Sequence, residues 1–250
     1  MIGMEQKVIL RPGERIDQLE RRGYRIIQNP DTFCFGMDAV LLSAFTRVFP
    51  GETAVDLGTG TGVIPILMEA QSQEGSYTAL EIQPDMAEMA SRSVQLNGLE
   101  NKISVLCEDL CRASAILGKA RFDIVTSNPP YMKTGQGMAS PEPSRALARH
   151  EIACKLEDVV REASALLKTG GRFYLVHRPG RLAEVFEMLH RYHLEPKRLR
   201  MVHPYAEEEA NLVLLESVRG GNGWMKVEAP LVIYKSQGVY TEEIWKIYRE

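Results

Sequence analysis

The sequence predicts an α/β fold: a mostly parallel sheet of about seven strands with a reversed edge strand, and helices on both faces. Three observations carry this. Through the middle of the chain, apolar runs of strand length alternate with helical stretches, the pattern that wraps a parallel sheet. Gly58-Thr-Gly-Thr-Gly62 breaks directly out of one such run into a helix. Asp56, Glu81 and Asp109 stand at or just past the ends of three successive runs, and the strand ends of an open α/β sheet converge on one crevice.

Taken in order, Glu14 to Glu20 reads as a short helix and Tyr24 to Gln28 as a weakly alternating strand. From Phe33 to Leu42 the period changes: Phe33 and Phe35 share a strand face, then Asp38 stands as the N-cap of an apolar helix reaching about Val48. Thr53 to Leu57 is a strand and Val63 to Glu69 a helix, with Pro65 in the first turn, where no intrahelical N–H is needed. Tyr77 to Glu81 is a second strand, Pro84 to Leu96 a helix closed by Asn97-Gly98, and Ile103 to Cys107 a third strand. Phe122 to Ser127 is a buried strand.

Met132 to Ser144 is too rich in Gly, Ser and Pro for a regular element, and long loops of this kind in compact domains commonly act as lids. Ile152, Leu156, Val159, Val160, Ala163, Leu166 and Leu167 then mark one helical face, which Gly170-Gly171 is expected to stop. A strand from Gly171 to Val176 and a helix from Arg181 to Tyr192 follow. Lys197 to Val202 and Asn211 to Leu215 read as a reversed strand pair at the sheet edge. The ending is a glycine linker from Gly220, an apolar segment Pro230 to Tyr234 and a helix from Thr241 to Tyr248. The expected organisation is an N-terminal extension over 1–50, a ligand-binding catalytic domain over 51–220, and a tail over 221–250 packed on it.

Composition excludes several classes. No apolar run in the 250 residues approaches membrane-spanning length, and the opening Met-Ile-Gly-Met-Glu-Gln-Lys lacks a signal-peptide pattern, so a cytoplasmic protein is expected. Cys34, Cys107, Cys111 and Cys154 show no paired spacing and no nearby histidine, so no metal is expected. The net charge of −3 argues against a wholly basic nucleic-acid binder, yet Arg145 to His203 holds 12 Lys/Arg against 7 Asp/Glu. Such a basic stretch either meets a polyanion or is a solvated face. Arg145, Arg149 and His150 are its candidate phosphate contacts. Oligomeric state is not legible.

The chemistry centres on Asn128-Pro129-Pro130-Tyr131, directly after a buried strand. A residue before proline is held extended and a proline pair has no N–H, so the turn is stiff and its carbonyls are left to accept. Such a place suits a planar exocyclic amine. The Asn128 side-chain oxygen and the Pro129 carbonyl would each take one N–H, and Tyr131 would lie against the ring. The glycine loop adds a ligand cradle whose spacing, with Asp56 two residues before Gly58, fits an ammonium-bearing ligand better than a pyrophosphate. Glu81 stands near the distance at which such folds grip ribose hydroxyls, and Asp109 is placed to accept from an adenine amino group.

The pairing of Val55-Asp-Leu-Gly-Thr-Gly-Thr-Gly62 with Asn128-Pro-Pro-Tyr131 resembles class I S-adenosylmethionine-dependent methyltransferases acting on nitrogen, which have a Rossmann-like fold. Phe33-x-Phe-Gly-x-Asp-Ala-x-Leu-Leu42, Ala148-Arg-His-Glu151 and the Pro230-Leu-x-Ile-Tyr ending are similar to the bacterial family that methylates N6 of the adenine beside the anticodon of a valine tRNA. The resemblance implies S-adenosylmethionine as cofactor and tRNA as partner. It places Asp56, Gly58 and Gly60 along the methionine moiety, Glu81 at the ribose, and Asp109 with Leu110 at the adenine, with Thr59, Gly62 and Ile82 also among the cofactor-binding residues. Asn128, Pro129, Pro130 and Tyr131 would hold the target base, with Asn128 also bordering the cofactor.

Protein-glutamine N5-methyltransferases acting on release factors share the Asn-Pro-Pro-Tyr turn, because a carboxamide offers the same planar amine. They usually carry a helical domain for which the short start here leaves no room. A DNA adenine methyltransferase is disfavoured by the lack of a target-recognition insert. An NAD-dependent oxidoreductase is disfavoured by the glycine spacing, by Asp56, and by the absence of a Tyr–Lys or His catalytic pair.

Overall fold

The computed structural model describes residues 8–31, 34–129 and 154–249. Phe33, Pro130, Tyr131, the 132–144 loop, Arg145, Arg149, His150 and Ile152 lie outside them. Among the described residues no helix is long and apolar enough to cross a membrane.

The predicted α/β architecture is what the chain adopts. β3 (Thr53–Leu57), β4 (Ser76–Glu81), β5 (Ile103–Cys107), β6 (Phe122–Ser127), β7 (Leu167–His177), β8 (Leu194–His203) and β9 (Leu212–Arg219) form one sheet in the order β8-β9-β7-β6-β3-β4-β5. All pair in parallel except β9, which runs antiparallel to both β7 and β8. The reversed strand therefore lies inside the sheet, between β7 and β8, not on its edge. β8 crosses over through a helix to a position two strands out, and β9 turns back to fill the gap.

Alternation along these strands gives the sheet two apolar faces. Ala54, Ile124, Tyr174 and Val176 pack against α1 (Met37–Phe45), α2 (Val63–Gln71) and α3 (Pro84–Leu96). Val55, Leu57, Val125, Phe173 and Leu175 pack on the other side against α4 (Ala113–Leu117), α5 (Leu156–Leu166) and α6 (Leu182–Arg191). Each fully buried Leu, Ile or Phe in these layers contributes roughly 1.5–3 kcal/mol.

Several sequence expectations are corrected. The Glu14 to Glu20 stretch holds a strand, β1 (Arg15–Gln18), antiparallel to β2 (Arg25–Gln28). Its polar helical period is overridden because the partner strand buries Ile26 and Ile27 against α3, where Ser93 Oγ accepts the Ile27 N–H at 3.0 Å. Gly36, not Asp38, is the N-cap of α1, and Asp38 sits in the first turn with Oδ1 accepting the Ala39 N–H. That helix stops at Phe45, short of Val48, where the backbone of Thr46 turns extended and its Oγ1 joins its N–H on the Leu42 carbonyl.

Gly170-Gly171 does not stop α5, which ends at Leu166. Leu167 pairs with Phe122 and starts β7, so the glycines lie inside a strand where the register shifts between Phe122 and Ile124. The 3-10 turn Leu110–Arg112 and α4 after it went unforeseen. In the tail, β10 (Lys226–Val227) and β11 (Leu231–Val232) extend the sheet parallel to β8. A hairpin, β12 (Tyr234–Ser236) and β13 (Val239–Tyr240), then leads into α7 (Glu242–Arg249), which buries Ile244 on the α1 side.

Candidate functional site

β3 is the switch point of the sheet, with β4 on one side and β6 on the other. A crevice opens there beyond the carboxyl ends of the strands. The register pairs Leu57 with Leu80 and with Ser127, and Ser127 Oγ donates to the Leu57 carbonyl at 2.9 Å. The next residues along the two chains are Gly58 and half-buried Asn128, so the glycine loop and the Asn-Pro turn leave the sheet side by side.

The glycine loop is pinned to β4. The N–H groups of Gly58 and Thr59 both donate to the Leu80 carbonyl, and the Gly60 N–H donates to Glu81 Oε2 at 2.9 Å. Gly62 caps α2 at φ +84, a left-handed conformation that only glycine adopts cheaply, and a Cβ there would lie 3.2 Å from Ala90 Cβ. At Gly58 the sole neighbour among the described residues within 4 Å of an added Cβ would be Leu110 Cδ2, at 3.8 Å. The loop therefore faces the turn after β5 across a narrow gap.

Three acids border this gap, as the strand ends predicted. Glu81 is buried at the end of β4; besides the Gly60 N–H, its Oε1 accepts the Gln83 N–H at 2.9 Å. Ile82 next to it is 40% exposed, an apolar rim residue. Asp109 accepts the Cys111 N–H at 2.8 Å, which fixes the Leu110 turn. Asp56 is the most enclosed, 2% exposed, with Oδ1 accepting from Thr126 Oγ1 at 2.7 Å. Burial pushes its carboxyl up to about 6 and the Glu81 charge adds to the rise, against the lowering effect of the Thr59 and Thr126 hydroxyls.

Among the described residues, buried Thr61 Oγ1 has no hydrogen-bond partner, and Asp56 Oδ2 and Thr59 Oγ1 have none beyond each other. Polar atoms are rarely left so in a finished interior. A ligand that brings an ammonium and hydroxyl groups to the glycine loop would satisfy them, so the donor set fits the methionine and ribose ends of S-adenosylmethionine.

Of the predicted residues, Asp56, Gly58, Thr59, Gly60, Gly62, Glu81, Ile82, Asp109, Leu110, Asn128 and Pro129 are described, and they occur at the ends of β3, β4, β5 and β6. Sequence reading missed Thr126 and His177. Thr126 is legible only once the register sets it beside Asp56. His177 ends β7, two residues past the Leu175 that pairs with Ser127. It is fully buried, its Nδ1 accepts the Arg178 N–H at 2.9 Å, and burial together with the Arg181 charge pushes its pKa down to about 4, leaving a neutral ring.

Residues 24–192 match the family model of the methyltransferase small domain. The tRNA1(Val) (adenine(37)-N6)-methyltransferase of Phocaeicola vulgatus is 30% identical over 216 residues, 86% of this chain and 88% of that one. The enzyme of the same name from Porphyromonas gingivalis is 28% identical over 223 residues, covering 83% of this chain and 84% of its own length. Among solved structures, a predicted O-methyltransferase from Agrobacterium tumefaciens superposes with a TM-score of 0.69 at 26% identity, over 85% of this chain and 97% of that one.

Proposed function

Since the chain belongs to the methyltransferase small-domain family, we propose that it moves the methyl group of S-adenosylmethionine to the exocyclic N6 of an adenine in tRNA, the anticodon-adjacent adenine of a valine tRNA. The carrying observation is the Ser127–Leu57 bond, which sets the Asn128-Pro129 turn beside the glycine loop. The names of the relatives supply the substrate.

S-adenosylmethionine brings a methyl group on a positively charged sulfur, already activated for transfer. The protein's work is therefore to bind and orient. Asp56, Thr59 and the backbone of Gly58 to Gly62 take the methionine end, with Asp56 opposite the ammonium. Glu81 and Ile82 take the ribose; Asp109 and Leu110 hold the adenine. Asn128 Oδ1 and the Pro129 carbonyl accept the two N–H bonds of the target amine, and Tyr131 stacks on its ring.

Holding the amine this way turns its lone pair out of conjugation. Alignment of this kind is worth roughly 7–11 kcal/mol in well-oriented systems. The two oxygens also favour the positive charge that develops on nitrogen. No side-chain base is needed, because the methylated amine loses its proton to water. His177, neutral and buried, fits a supporting role behind the turn.

Arg145, Arg149 and His150 serve as phosphate contacts. Residues 1–50 and 221–250 act as flanking extensions of a 51–220 catalytic domain, and the protein works in the cytoplasm with its tRNA. Incubation with labelled cofactor tests the reading. Label is expected in total tRNA, at adenine N6, and not in a release-factor fragment carrying the glutamine target; label in the fragment alone would replace tRNA with protein as substrate. S-adenosylhomocysteine, and not NAD, is expected to raise the melting temperature.

A further inference from the structure

Beside the crevice, where α5 packs on the Leu110–Arg112 turn, Cys111 Sγ, Cys154 Sγ and one Asp158 carboxylate oxygen lie within 4.8 Å of one another. All three residues are half-buried. We propose that this group is a binding site for one divalent cation of the zinc class, held by two thiolates and one carboxylate, with water in the fourth position.

The ligand types point to that class. Thiolate sulfur selects zinc-like ions over magnesium or calcium, and a set of three protein ligands with one open place is a recurring zinc arrangement. The scaffold is fixed on both sides. Asp109 Oδ1 holds the Cys111 N–H at 2.8 Å, and Asp158 Oδ2 accepts the Lys155 N–H at 3.1 Å, closing the first turn of α5 next to Cys154. Arg161 is the competitor for Asp158, at 2.6 Å from Oδ1. It is also paired with Glu162 at 3.3 Å, so it keeps a partner when Asp158 turns toward a cation.

The surroundings explain why the thiols keep their protons without an ion. Burial raises both thiol pKa values; the contact between the two thiols comes next, lowering Cys111 and raising Cys154, and the charges of Asp109 and Asp158 raise both. A divalent cation reverses that balance: the two S–H bonds break, two metal–sulfur bonds form, and two protons go to solvent. Affinity therefore rises with pH. The two cysteines are distant in sequence and come together only when α5 docks. Occupancy would tie the start of α5 to the turn that carries Asp109 and Leu110. The site does not depend on the identity of the methyl acceptor.

The test uses the full-length chain, reduced with a phosphine and stripped of metal. Cobalt(II) is expected to give a thiolate-to-cobalt charge-transfer band that saturates at one equivalent. Zinc is expected to displace it, release two protons, and protect two thiols from an aromatic disulfide reagent. Cys111→Ser and Cys154→Ser should each cut the band to half or less and weaken zinc binding by more than the roughly tenfold that loss of an outer-shell partner costs. Cys34→Ser with Cys107→Ser should leave the band unchanged, and melting curves show whether each variant is folded. A wild-type chain with no band, or a band undiminished in folded Cys111→Ser, overturns the site. So does a reduced chain that binds no zinc while peroxide joins Cys111 to Cys154.

Discussion

Thr126 Oγ1 donates to Asp56 Oδ1 over 2.7 Å, across the boundary between β6 and β3, and both residues are buried. Asp56 is two residues before Gly58, and Thr126 two before Asn128. One interior hydrogen bond thus keeps the strand that feeds the glycine loop in step with the strand that feeds the Asn-Pro turn. It also leaves Asp56 Oδ2 as a buried acceptor with no partner among the described residues beyond the Thr59 hydroxyl.

The pH dependence of stability follows from that carboxyl. Its folded pKa is raised from 3.8 to about 6, so the folded state holds a proton that the unfolded chain has released. The stability it contributes is complete below the ordinary carboxylate pKa and is lost as pH rises through about 6. The loss is of order 2–3 kcal/mol, two pKa units' worth. Asp56→Asn keeps an oxygen for Thr126 and cannot ionise. Its urea midpoint, measured without ligand, should decline less than wild type between about pH 4 and about pH 7. Equal declines would place the titration elsewhere.

The same substitution separates the ligand role from the structural one. An ammonium above Oδ2 favours the charged carboxylate, so S-adenosylhomocysteine should bind wild type more tightly as pH rises through about 6. In Asp56→Asn, calorimetry should find weaker binding with a flat profile over that range. A wild-type profile just as flat would remove Asp56 from contact with the methionine end.

Glu81 already spends one oxygen on the Gly60 N–H and the other on the Gln83 N–H. Ribose hydroxyls would use its remaining lone pairs. Glu81→Gln leaves one oxygen and places an NH2 against a backbone donor. Cofactor affinity should fall by about tenfold or more, as expected for losing charge-assisted hydrogen bonds of roughly 1.5–3 kcal/mol each. Calorimetry reads this directly; unchanged affinity would mean that Glu81 only braces the loop.

Much of this site was legible because its signals are local. Gly58 to Gly62 require particular backbone shapes, Asn128-Pro129 ends a buried apolar run, and Phe122 to Ser127 and Ile103 to Cys107 have the bounds their patterns gave. The failures share a cause, which is pairing with distant chain. β1 forms because β2 covers it, Leu167 leaves the helical period to pair with Phe122, and β9 fills a gap opened by β8. Thr126 and the Cys111–Cys154 group were invisible for the same reason.

Gly62 separates conformational cost from crowding. Alanine there meets both a φ of +84 and a Cβ 3.2 Å from Ala90 Cβ, whereas alanine at Gly98, φ +66, meets nothing within 4 Å among the described residues. Gly98→Ala should therefore cost the bare left-handed penalty, about 1–2 kcal/mol. Gly62→Ala should cost visibly more in thermal unfolding and also weaken cofactor binding. Equal destabilisation would show that α2 and α3 move apart without penalty.

A charge reversal at Arg149, outside the described residues, tests the RNA contacts. Arg149→Glu should weaken tRNA binding in a filter assay, most at low salt, because phosphate contacts act through counterion release. Cofactor affinity should stay as it was. Unchanged tRNA affinity at every salt concentration would take Arg149 out of the interface.

Asn128→Ala bears on the chemical step itself. The residue follows Ser127, whose hydroxyl bond to Leu57 anchors the turn from the strand side, so the backbone should hold its course when the amide is removed. Alanine removes one of the two acceptors for the target amine and leaves the acids at Asp56, Glu81 and Asp109 intact. Single-turnover methyl transfer should drop by roughly 10²–10³, the cost of losing one oriented transition-state hydrogen bond. S-adenosylhomocysteine affinity should stay within a few-fold. A parallel fall in both would make Asn128 a strut of the cofactor loop, and the amine would then need a different holder.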